Sequence, residues 1–152
     1  MEKGIVYVLK PDDHQAGVAG DSLKLTNHRQ ATYLLQFGAV TGDAVLTVKS
    51  GATAGTETTA ETFYTRLADA DQGSADADQY GAEAAGVTTL TLTAATYDNR
   101  ILVVEVIGAE LTADQEWITL AFSGAASALN VAVVAILSEP RYSATDQPTA
   151  IA

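Results

Sequence analysis

The chain holds two histidines, His14 and His28, and no cysteine. Both sit in polar stretches, His14 beside Asp12 and Asp13 and His28 beside Asn27. Imidazoles with nearby carboxylates are the raw material of a metal site, but such a site needs three or four convergent ligands. Two separated histidines in polar surroundings read more simply as solvated loop residues, and no metal is expected. The run Asp69-Ala70-Asp71-Gln72-Gly73-Ser74-Ala75-Asp76-Ala77-Asp78 carries part of the calcium-loop pattern, with spaced aspartates around a glycine. The position that needs a closing bidentate Glu holds Tyr80, and no helical pattern flanks the run. The expectation is a flexible, solubilising loop across Asp69–Gly86.

Covalent and acid–base chemistry have no better footing. No Gly-x-Ser-x-Gly elbow occurs, and Ser123-Gly124 follows a strand pattern without the helix that a nucleophile elbow requires. No phosphate loop or dinucleotide fingerprint is present. Carboxylates can converge from distant loops for acid–base work, but nothing marks a particular pair. Trp117, Tyr64 and Tyr97 would serve a carbohydrate groove if they shared one face, although aromatics at strand spacing usually belong to a core. The expectation is therefore a non-enzyme with no catalytic residues and no cofactor.

The elements that must position these residues are strands. Ile5–Leu9 is apolar and stops at Pro11-Asp12-Asp13. Leu23–Thr26 alternates briefly. Ala31–Val40 places Tyr33, Leu35 and Phe37 on one face, and Thr41-Gly42-Asp43 reads as a hairpin turn into Ala44–Lys49. Glu61–Ala68, Val87–Thr93, Ile101–Ile107, Trp117–Ser123 and Leu129–Leu137 follow, with Ile101–Ile107 apolar enough for a central position. Glu110–Gln115 has room for one helical turn. Eight or nine short strands without sustained 3.6-residue periodicity predict an all-β antiparallel sandwich or barrel with extended N- and C-terminal arms. The expected division is an N-terminal strand and arm over 1–30, a sandwich domain over 31–140 and a tail over 141–152.

Composition narrows the partners. A chain of 152 residues with 47% hydrophobic residues suits one core. The formal net charge of −11 argues against direct contact with nucleic acid or an anionic membrane surface, both of which need clustered Lys and Arg. Met1–Lys10 has no signal-peptide pattern, and no apolar run approaches the ~20 residues of a membrane-spanning helix.

Three segments resemble tailed-bacteriophage virion proteins encoded among head genes. They are Leu34–Ala44, with its Gly38-Ala39-Val40-Thr41-Gly42 turn; Tyr97–Val106, followed by Glu110-Leu111; and Val133–Leu137, followed by Pro140-Arg141-Tyr142. The resemblance spans roughly residues 30–142 and is to capsid decoration (cement) proteins and related head structural proteins. It implies a compact, jelly-roll-like β-sandwich on the outer surface of the virion, made in the host cytoplasm, that bridges and stabilises subunits of the major capsid protein as a homodimer or homotrimer. It carries no catalytic residues. Ile5, Tyr7 and Leu9 in the N-terminal arm, and Arg141 and Tyr142 in the tail, are the expected capsid or oligomer contacts. A tail or head–tail structural protein and a carbohydrate-binding β-sandwich module are the competing expectations.

Overall fold

The computed structural model describes residues 4–140 and 149–150. Its elements in chain order are β1 (Gly4–Asp13), β2 (Val18–Ala19), β3 (Ser22–Lys24), β4 (His28–Val40), β5 (Ala44–Gly51), β6 (Thr59–Ala60), β7 (Tyr64–Leu67), β8 (Thr89–Leu92), the one-turn helix α1 (Ala94–Tyr97), β9 (Ile101–Ile107), β10 (Trp117–Phe122), β11 (Leu129–Pro140) and β12 (Thr149–Ala150). Sheet A is five-stranded in the order β1-β11-β4-β9-β7. Sheet B runs β12-β3-β10-β5-β6, with β2 also pairing β10 and β8 also pairing β5. Every pairing is antiparallel.

The order is that of a jelly roll. Early strands pair with late ones in nested fashion: β1 with β11, β3 with β10, β4 with β9 and β5 with β8. The two sheets then face each other across one core. Period-two alternation builds that core. Ala31, Tyr33, Leu35 and Phe37 of β4, Leu102, Val104 and Val106 of β9, and Val131, Val133, Ala135 and Leu137 of β11 all point inward from sheet A. Leu46 and Val48 of β5 and Ile118, Leu120 and Phe122 of β10 meet them from sheet B.

Four features depart from the sequence reading. First, Thr41–Asp43 does not close a hairpin, because β4 lies in sheet A and β5 in sheet B. The link is an arch between sheets, held by the Thr41 N–H donating to the Ala128 carbonyl at 2.9 Å. Gly42 fits because a Cβ there would lie 2.6 Å from the Ser127 nitrogen. Second, residues of the 1–30 segment are strands of both sheets: β1 lines the edge of sheet A, and β2 and β3 pair with β10 in sheet B. In the 141–152 segment, Thr149–Ala150 pairs with β3. Third, His28 is a buried residue at the start of β4, 1% exposed, rather than a solvated one. It lies out of phase with the inward Ala31, Tyr33, Leu35 and Phe37, so the period-two alternation of β4 is not what buries it. Fourth, the turn expected at Glu110–Gln115 lies earlier, as a 3₁₀ turn over Gly108–Glu110.

Candidate functional site

The residues that point away from the core on sheet A form the candidate site. Register places Ile5 beside Ile136, Ile136 beside Thr32, Thr32 beside Glu105 and Glu105 beside Tyr64. The next outward row runs Tyr7, Val134, Leu34, Val103 and Arg66. A third contains Ala132, Gln36 and Ile101. Such a face is usually polar in an antiparallel sheet that borders water. Here apolar side chains dominate its centre, and its few charged groups are occupied. Glu105 accepts from the Gln30 side chain at 3.0 Å, and Arg66 pairs with Glu83 at 3.2 Å.

Two hollows indent this face. One of about 300 Å³ is apolar, lined by Leu34, Gln36, Tyr80, Ile101, Ala132 and Val134. Next to it, sharing Gln36 and Ala132, lies a wider and more polar hollow of about 600 Å³ that reaches Pro11, Asp12, Asp13, Gln72, Asn99 and Asn130. The wall on one side is β1 and on the other the Asp69–Gly86 segment.

That segment is held more firmly than its composition predicts. The Asp69 N–H donates to Gln79, the Gln72 side chain donates to the Phe37 carbonyl at 2.7 Å, and Asp71 pairs with Arg100 at 3.1 Å. The Gly81 and Ala84 amides donate to the Leu67 and Thr65 carbonyls, so the segment returns alongside β7. Tyr80 rides on it, 39% exposed over the apolar hollow. Among the described residues no group of three or more His, Cys, Asp or Glu is placed to hold a metal ion.

The expected contact residues divide. Ile5 and Tyr7 are 75% and 55% exposed. Leu9 is instead core, 8% exposed. Register shifts between Tyr7 and Leu9 and again between Leu9 and Asp12 break the alternation of β1, so Val8 and Leu9 both turn inward. Arg141 and Tyr142 lie outside the described residues. The contribution of Leu34, Val103 and Val134 to an outer face was not visible in the sequence, because the strands that carry them read equally well as buried on both sides.

Other chemistry-bearing residues have structural tasks. The His14 ring bonds the Lys10 carbonyl at 3.1 Å. The Ser123 hydroxyl accepts from the Val45 N–H at 2.8 Å. Glu61, 4% exposed, accepts from the Ser50 hydroxyl and from the Thr112 N–H, tying β5 to the segment after β9. Tyr33 is buried between the sheets, and burial, with Glu57 nearby, pushes its phenol well above the usual tyrosine range. Asp12, on the rim of the wider hollow, is held below the usual carboxylate range by its hydrogen bond from Lys10. The three aromatics considered for a carbohydrate groove do not meet. Tyr64 lies on the outer face of sheet A and donates to Glu110, Trp117 stands on sheet B under the Lys24 ammonium, and Tyr97 packs edge-on against Phe37.

No family model matches the chain, and no curated protein matches it. Among solved structures, the SPBc2 prophage-derived protein YomS superposes with a TM-score of 0.52 at 8% identity, covering 90% of this chain and 95% of that one. The structure of infectious bursal disease virus Gx strain aligns only at a TM-score of 0.19, with 14% identity and 39% of that chain covered, and carries no weight. At these identities the likeness to YomS is one of fold, and it extends over nearly the whole of both chains.

Proposed function

We propose that this protein is a bacteriophage structural component that docks on the outside of the capsid lattice through the outer face of sheet A and bridges major capsid subunits. The observation that carries the reading is an apolar, nearly charge-free sheet face on a chain whose net charge is −11. A contiguous exposed apolar surface on a soluble domain marks an interaction site. The fold shared with a prophage-derived protein supports the phage setting. A bridging protein needs a stiff body and no chemistry. By binding only the assembled lattice it stabilises that state by mass action, and repetition over the shell turns weak contacts into avidity. The acidic remainder of the surface suits a position away from packaged nucleic acid.

The test is cosedimentation of the protein with emptied capsids, followed by cryo-EM of the decorated particle. Copies spread over the icosahedral shell support the reading. Density confined to rings on the tail supports a tail protein instead, and absence from the particle refutes both.

A further inference from the structure

We propose that the open half of β1, Gly4–Tyr7, pairs antiparallel with the same segment of a second copy, joining two copies of sheet A into one continuous sheet. This inference stands apart from the capsid reading and survives or fails without it.

Sheet A has two edges, and the chain treats them differently. At β7 the edge is closed: the Gly81 and Ala84 amides donate to the Leu67 and Thr65 carbonyls at 3.1 and 2.9 Å, and Phe63 bridges Val87. At β1 the second half of the strand is closed too. The Asp21 N–H donates to the Val8 carbonyl at 3.2 Å, and the two register shifts bend the strand there. Gly4–Tyr7 pairs with β11 on one side, and no other segment among the described residues bonds its opposite side. An open strand edge is a template for another strand unless charge, proline or a bulge guards it. None of these guards lies within Gly4–Tyr7, whose Ile5 and Tyr7 are, with Tyr80, the large apolar side chains most exposed among the described residues.

Charge selects the occupant. Two copies each carrying −11 repel one another wherever carboxylates face carboxylates. Gly4–Leu9 contains no charged residue, and the charges that follow, Lys10 and Asp12, neutralise each other in a 2.8 Å pair. This stretch can therefore approach its own copy without electrostatic penalty. Its self-pairing is also complementary in side chains. With Val6 on the two-fold axis, Ile5 of one copy lies directly opposite Tyr7 of the other, twice, and such aromatic–aliphatic pairs stabilise antiparallel sheets. Because the contact is isologous, using the same Gly4–Tyr7 segment in both copies, the assembly closes as a dimer and does not grow into a filament.

Sedimentation of the full chain from about 10 μM to 1 mM tests this, a range that brackets weak association. The expected result is a reversible monomer–dimer equilibrium. Ile5→Glu and Tyr7→Glu should each weaken it at least about tenfold, since like charges then face each other across the two-fold. Tyr80→Glu, on the same face but carried by the Asp69–Gly86 segment and not by β1, should leave it within about twofold. Both edge positions are exposed, so the melting temperature should stay at the wild-type value. As a check that needs no variant, hydrogen exchange of Gly4–Tyr7 should slow with rising concentration while that of β9 does not change. A monomer throughout, a trimer, a dimer that persists in both edge variants, or one that Tyr80→Glu disrupts equally would overturn the proposal.

Discussion

Leu34 and Leu35 are neighbours on β4, chemically identical, and face opposite ways. Leu35 is fully buried between the sheets, whereas Leu34 points outward and lines the apolar hollow. Truncating Leu35 to Ala removes buried methyl groups and leaves a cavity, which costs about 2–5 kcal/mol. For a chain of this size each kcal/mol shifts the melting temperature by roughly 2–4 °C, so Leu35→Ala should melt about 4–20 °C below wild type. Leu34→Glu places a carboxylate at a half-buried position on the outer face and should cost less than the core truncation, about 1 kcal/mol of stability. Its effect falls on docking. Loss of a leucine contact forfeits about 1.5–3 kcal/mol, and an unpaired carboxylate trapped under a partner adds to this. Together these predict capsid binding at least about a hundredfold weaker, since each 1.4 kcal/mol is tenfold. The assay pairs thermal unfolding with cosedimentation on emptied capsids. If Leu34→Glu melts as low as Leu35→Ala, the assignment of faces is wrong. If it is stable and still binds capsids like wild type, sheet A is not the docking face.

Predictions at three further positions concern the body of the fold. The Tyr33 hydroxyl is buried without a hydrogen-bond partner among the described residues, so Tyr33→Phe should raise stability at neutral pH by about 1 kcal/mol in urea titrations. Tyr33 also has a phenol pKa raised in the folded state, so its contribution is intact below the unfolded value near 10 and is lost as pH climbs above it; Tyr33→Phe should flatten the alkaline fall in stability that wild type shows there. Glu61→Ala strands the Ser50 hydroxyl and the Thr112 N–H and should cost about 3 kcal/mol, while Glu61→Gln, which keeps an acceptor in place, should cost about half of that or less; equal losses would show that the hydrogen bonds are not what matters. Gly42→Ala forces a Cβ to within 2.6 Å of the Ser127 nitrogen and should destabilise by about 1–3 kcal/mol, read as a lower urea midpoint at unchanged slope.

The sequence by itself determined the β class and the inward set of most long strands. In β4, β9 and β11 a period of two is imposed by the pleat, so Tyr33, Leu35, Phe37 and Val104 declare their side whatever the topology. Composition likewise determined the acidity that shapes what the surface can touch. Tertiary structure alone decided which strands meet. A three-residue link such as Thr41–Asp43 serves a hairpin or an arch equally well. Only the pairing of β4 with β11 and β9, distant in the chain, made it an arch. The register shifts that turn Leu9 inward exist only in the pairing of β1 with β11, a strand distant in the chain. The site has the same origin. Ile5, Leu34, Val103 and Val134 come from four strands, and apolar residues on both faces of a strand say only that both faces are dry. That one of those faces lies open, beside an unguarded edge, follows from the order of the sheet.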